Sequence, residues 1–222
     1  MGVAILFFSG LSLVAVWWLS KHRLFAKPWL EPGAAGEFPG GGVSDVPVAK
    51  VGLGVFLAVV GALFALFVSA YVMRMGLADW RPVPKPTVLW INTGVLMLAS
   101  GALQWARAAA ERDDLDGART GLLAAGAATL AFMAGQAWAW RELTGSGWFL
   151  ASNPASTFFY LITALHALHL VGGLAALARS AVRAWRPDPD PARLRLGLEL
   201  CSLYWDFLLL IWLVLFGLLW LT

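Results

Sequence analysis

Two histidines, His166 and His169, stand three residues apart in the apolar stretch FFYLITALHALHL (158–170), and two carboxylates, Glu199 and Asp206, stand seven apart further along. Three chemistries could use such groups. Histidines at i and i+3 share a helical face and could enter a metal's coordination sphere. A third ligand is then needed, and the carboxylates belong to a different apolar run with no metal-site spacing. A haem held by two histidines needs them on opposite faces of the porphyrin, which one face of one helix cannot supply. A proton relay through Asp206 needs titratable groups from one end of the chain's apolar layer to the other, and only Glu199 lies on the inner side. No nucleophile with its base, phosphate loop or zinc motif is present. The residues therefore read as a polar contact between helices, in a chain with no catalytic residues, metal or cofactor of its own.

The elements that must position these groups are transmembrane helices. Of the 222 residues 60% are hydrophobic and 13% charged, and the mean hydropathy is +0.74, which places most of the chain in lipid. A hydrocarbon core of ~30 Å takes about 20 apolar residues per helix. Six runs qualify, at 2–20, 50–73, 87–106, 120–140, 156–178 and 197–221. They are solidly apolar, so an all-α protein of six transmembrane helices is expected and a β-barrel is excluded. The first run has no positive residue before it and the cluster Lys21, Arg23, Lys27 after it, the pattern of a retained anchor.

The basic residues orient the six spans. The first, third and fifth connections, counting Lys50 with the first, hold 12 of the 16 Lys and Arg, which predicts both termini on the outer, periplasmic side. Spread along one membrane face, these charges do not form a nucleic-acid patch. The organisation expected is an N-terminal helix (1–20), a Gly/Pro-rich cytoplasmic segment (21–49) and a five-helix membrane domain (50–222). Prolines 82, 84 and 86 predict an extended outer turn, and Asp114 or Asp116 a helix cap. Most of the 13 tryptophans fall near predicted interfaces as an aromatic belt, Trp140 among them, whereas Trp205 and Trp212 lie well inside the last span.

Polar groups inside a span need partners. They are Asn92 and Thr93 in the third span, Gln136 in the fourth, Thr163, His166 and His169 in the fifth, and Glu199, Tyr204 and Asp206 in the sixth, with Trp205 beside them. At 1.5 Å per residue His169 lies about 15 Å from Arg179, and Asp206 about 16 Å from Arg195. The two are level on antiparallel neighbours, so a hydrogen bond between Asp206 and a histidine is expected in a seam of Thr163, His166, His169, Glu199, Tyr204, Trp205 and Asp206.

These residues fall into motifs that resemble a known family. ASTFFYLITALHALHL matches a Gly-Ser-Thr-Phe-Phe…Thr-Gly-x-His-Gly-x-His pattern at Ser156, Thr157, Phe158, Phe159, Thr163, His166 and His169, with Ala155, Ala164 and Ala167 where Gly is usual. ELCSLYWDFLLLIW resembles Glu-x₄-Tyr-Trp-His-Phe followed by an apolar run with Trp, through Glu199, Tyr204, Trp205, Phe207 and Trp212. Asn92, Thr93, Ser100 and Ala106 match a third helix pattern, and Gly52, Phe56 and Phe64 a fourth. In order over about 50–220, the chain resembles cytochrome c oxidase subunit III of the haem–copper oxidases. It departs where that family has carboxylates, at Val60, Ala139 and Leu209, and where it has the third histidine, at Asp206.

The resemblance implies a non-catalytic accessory subunit in the bacterial cytoplasmic membrane, packed on the catalytic haem–copper subunit I and neighbouring subunit II. Haem and copper would reside in those partners. Phospholipid would lie in a cleft between helices, and the subunit would support proton uptake and stable turnover in aerobic respiration. The equivalent subunit of a nitric oxide reductase is the nearest alternative. A small proton-coupled transporter using Asp206 and the histidines is the alternative of another class.

Overall fold

Within the described residues each apolar run becomes a helix, and most of these helices extend beyond the run at one or both ends. In the computed structural model, which describes residues 47–222, these are α1 (Val48–Arg74), α2 (Val88–Glu111), α3 (Leu115–Gly145), α4 (Pro154–Ala184) and α5 (Pro191–Leu221). Each is long and apolar enough to cross a membrane. The expected N-terminal helix at 1–20, and all but the last residues of the segment 21–49, lie outside the described residues.

The helices overshoot the apolar runs because their ends are built from polar residues with local partners. Asp114 rather than Asp116 caps α3, accepting from Gly117 N at 2.9 Å, while Asp116 pairs with Arg119. Asn153 and Asp190 cap α4 and α5, each followed by proline at the first helical position, where the missing N–H costs nothing. At the other ends, two arginines that read as orientation signals also serve as C-terminal caps. Arg119 Nε donates to Ala184 O at 3.0 Å and Arg195 Nε to Ala110 O at 3.0 Å, placing positive charge at the carbonyl ends of α4 and α2. The connection 80–86 is extended and non-helical, as its prolines require.

Helices α2 to α5 close a ring in which α3 packs on α2 and α4, and α5 packs on α2 and α4. The tightest pair is α2 with α3. Gly121 makes this possible, because a Cβ there would lie 2.7 Å from Ala106 Cβ and 2.8 Å from Ala102 O. Further along the same pair, Gly135 faces the Asn92 amide with no room for a side chain. Helix α1 lies against this ring through side chains, Phe56 on Tyr204, Phe64 on the two histidine rings and Tyr71 on Phe158.

Three tryptophans join helices by one repeated device. Trp212 Nε1 donates to Thr93 Oγ1 at 2.9 Å, Trp205 Nε1 to Thr129 Oγ1 at 3.1 Å, and Trp140 Nε1 to Thr163 Oγ1 at 3.1 Å. Each threonine passes its own proton to the carbonyl four residues back, on Leu89, Ala125 and Phe159 respectively. The hydroxyl thus satisfies an indole across a helix interface without giving up its partner in its own helix, which matters where no water can substitute. Trp140, expected only as part of the belt, belongs to this set.

Candidate functional site

Successive residues of a helix point about 100° apart, given 3.6 residues per turn, and α5 uses this at 204–206 to address three neighbours. Tyr204 Oη donates to His169 O on α4 at 2.8 Å. Trp205 reaches Thr129 on α3. Asp206 faces α2, where its carboxylate accepts from Ser100 Oγ on one oxygen and Gln104 Nε2 on the other. The turn places Tyr204 and Trp205 against α4 at Gly173, where a Cβ would come within 2.7 Å of the Tyr204 ring and 2.9 Å of the Trp205 ring.

The expected hydrogen bond between Asp206 and a histidine is therefore corrected. Azimuth decides the partner, and Asp206 is turned away from α4 by the same 100° steps that point Tyr204 toward it. His169 Nδ1 instead contacts Leu165 O, within its own helix, at 2.7 Å. His166 is fully buried among rings, with Trp212 at 5.2 Å, Phe132 at 5.9 Å and Phe64 at 6.3 Å between centroids. Neither of its ring nitrogens has a hydrogen-bond partner among the described residues.

The single seam from Thr163 to Asp206 accordingly divides into local contacts. Thr163 belongs to the Trp140 clasp, and Trp205 and Tyr204 to their own helix contacts. Glu199 is half-buried two turns from Asp206, its carbonyl accepting from Ser202 Oγ at 3.0 Å. Asn92 and Gln136 are both 2% exposed, with the Asn92 amide packed over Gly135. The residues that sequence reasoning missed as partners are Ser100, Gln104 and Thr129. Ser100 and Gln104 are four apart on α2, hence on one face, and that spacing was the available signal.

A second feature is a cavity of about 370 Å³ between α1, α4 and α5. Phe56, Gly173, Cys201 and Tyr204 line its apolar part, and Arg179 and Arg183 stand at one end. Such a cleft suits a ligand with a long apolar body and an anionic head. Among the described residues no group of three or more His, Cys, Asp or Glu side chains converges as metal ligands would.

Fold and site together define a multi-pass helical membrane protein in which buried indole–threonine pairs join helices, with an open cleft between α1, α4 and α5. The family model for cytochrome c oxidase subunit III matches residues 50–221, and the chain belongs to that family. It is similar to the cytochrome c oxidase subunit 3 of Thermostichus vulcanus, 30% identical over 173 residues covering 76% of this chain and 85% of the relative. The probable cytochrome c oxidase subunit 3 of Mycobacterium tuberculosis (strain ATCC 25618 / H37Rv) is 34% identical over 157 residues, 69% of this chain and 76% of that protein. That of Synechocystis sp. (strain ATCC 27184 / PCC 6803 / Kazusa) is 27% identical over 170 residues, 74% and 72%.

Proposed function

We propose that this chain is the non-catalytic accessory subunit III of a haem–copper terminal oxidase in aerobic respiration, set in the bacterial cytoplasmic membrane. Both its termini face the periplasm. It packs on the catalytic subunit I and neighbours subunit II, which hold the haem and copper. The observation that carries the reading is the continuous family match over the five-helix block. In that block, matched residues such as Thr93, Thr163, Tyr204, Trp205 and Trp212 are the ones that hold helices together. A protein that spends its polar groups this way is built as a scaffold.

The cleft between α1, α4 and α5 is the proposed phospholipid site. Its apolar walls would take an acyl chain and Arg179 and Arg183 the phosphate. Through its contact with subunit I, the chain supports proton uptake and sustained turnover there. Where relatives' carboxylates would fall, this chain has buried Val60 and Ala139, so that support does not run through those positions.

Purification of the tagged chain from its native membrane tests the proposal. Co-purified haem and copper with oxygen reduction are expected. A complex that reduces nitric oxide and not oxygen would move the chain to the reductase reading. A chain that purifies free of haem proteins, and moves protons or solute in liposomes, would replace both with the transporter.

A further inference from the structure

Asp206 lies at the midpoint of α5, 15 residues from Pro191 and from Leu221, or about 22 Å of helix from either end. It is not sealed inside the bundle. The side chain is half-buried, and Gln104, which donates to it, is exposed on the outer surface of α2. Ser100 and Gln104 donate to this carboxylate and Arg107, further along α2, bears on it electrostatically. Carboxylate and amide nevertheless remain partly uncovered, and intramembrane polar groups face a protein interior or a partner.

The surface around them has the shape of a helix seat. On α2 the outward positions Gly94, Met97, Gly101 and Gln104 follow the alternating three and four spacing of a seam that another helix can join. On α5 the positions Asp206, Leu213 and Gly217 follow the same spacing, antiparallel and alongside. A Cβ built on Gly94, Gly101 or Gly217 meets nothing within 4 Å, so packing inside this chain does not account for them, in contrast to Gly121, Gly135 and Gly173. Gly94 and Gly101 are exposed and Gly217 is half-buried, and glycine at such helical positions serves close approach by another backbone, from which lipid gains nothing.

We propose that the shared α2–α5 face receives one transmembrane helix of a partner chain, bearing at the depth of Asp206 a hydrogen-bond donor, basic or hydroxyl, that completes the carboxylate's shell. Charge complementarity selects this occupant. A second copy of the chain, paired about an axis normal to the membrane, would bring two Asp206 carboxylates to one level and repel. The inference rests on the reading of this chain as a subunit of a larger membrane complex, and adds which face is used and by what.

The test uses the full chain in its native membrane. A benzophenone amino acid at Met97 or Leu213 is expected to cross-link both positions to the same transmembrane segment of one partner, with a donor residue level with Asp206. A probe at Leu130, exposed on α3, should not reach that segment. Adducts at 97 and 213 with lipid only, with a second copy, or with a segment lacking a donor at that level would overturn the proposal.

Gly101→Leu provides the second measurement. It should reduce co-purified partner about tenfold while the chain's own helix content and thermal unfolding stay unchanged, and undiminished partner would also overturn the proposal. The oxidase assignment is read separately, from haem in the complex. A haem-bearing complex cross-linked only through Leu130 keeps the assignment and sinks this surface. A haem-free partner captured through Met97 and Leu213 does the reverse.

Discussion

Thr129→Val tests the indole–hydroxyl clasps most directly. Thr129 and Trp205 are both 0% exposed, and valine keeps the threonine shape while removing the oxygen that accepts from Trp205 Nε1 at 3.1 Å. The indole N–H is then left in a dry core. Leaving such a donor unpaired costs about 1–3 kcal/mol in water-soluble proteins, and intramembrane hydrogen bonds average nearer ~0.6 kcal/mol with a maximum of ~1.7. About 1 kcal/mol is therefore expected here. The reverse deletion behaves differently. In Trp205→Phe the threonine still donates to Ala125 O at 2.8 Å, so no polar group is orphaned and the loss is one of ring volume. The assay is reversible unfolding in mixed micelles, followed by ellipticity, over the cycle Thr129→Val, Trp205→Phe and the double variant. A coupling near ~1 kcal/mol, with Thr129→Ser close to the parent, is expected. A coupling under ~0.3 kcal/mol, which is within ordinary additivity error, would refute the reasoning.

A cycle between Asp206→Leu and Ser100→Ala should likewise show coupling of about 0.5–1.5 kcal/mol, whereas Asp206→Leu with His169→Leu should show none; the opposite pattern would restore the histidine partner. His166→Leu, similar in volume and free of polar atoms, should keep stability within ~1.5 kcal/mol, because the rings of Phe64, Phe132 and Trp212 surround an imidazole that makes no hydrogen bond among the described residues; a larger loss on thermal unfolding would show a polar role. Gly135→Val should separate α2 from α3 at about 1–3 kcal/mol, since its Cβ would overlap the Asn92 amide, and an unchanged unfolding midpoint would contradict the close approach. At the end of α1, the Arg74 guanidinium hydrogen-bonds Asp79 in the connection to α2 and holds its carboxyl below the usual carboxylate range. The contribution of that pair is present above the unfolded Asp pKa and is lost as pH falls through the lowered folded one; an NMR titration midpoint for Asp79 at or above the ordinary value would contradict it.

Helix number and order in the five-helix block were legible because length and apolarity alone decide a span. Helix ends were less so. Apolar runs stop at the hydrocarbon edge, while α3 runs on to Asp114 and α5 to Asp190, where side chains take over the first N–H groups. The direction of Asp206 was not readable, since azimuth is meaningful only once α2 is known to flank α5, and that adjacency joins residues about a hundred apart in sequence. The threonine clasps were half legible: buried Trp205 and Trp212 demanded acceptors, Thr93 stood out as polar in its span, and Thr129 was one unremarked hydroxyl in an alanine-rich helix.

The clasps also bear on how the protein can be made. Of the described helices α5 leaves the ribosome last, and it carries two of the three indole donors. Until it arrives, Thr93 and Thr129 are already hydrogen-bonded to Leu89 O and Ala125 O within their own helices, so these two hydroxyls can enter the membrane and wait there at no polar penalty. For these two clasps the cost falls on α5, which brings unpaired N–H groups into lipid and is relieved only on reaching its slot; Trp140 on α3 waits in the same way for Thr163 of α4. Insertion is thereby biased toward completion, with the threonine acceptors patient and each indole-bearing helix compelled to dock.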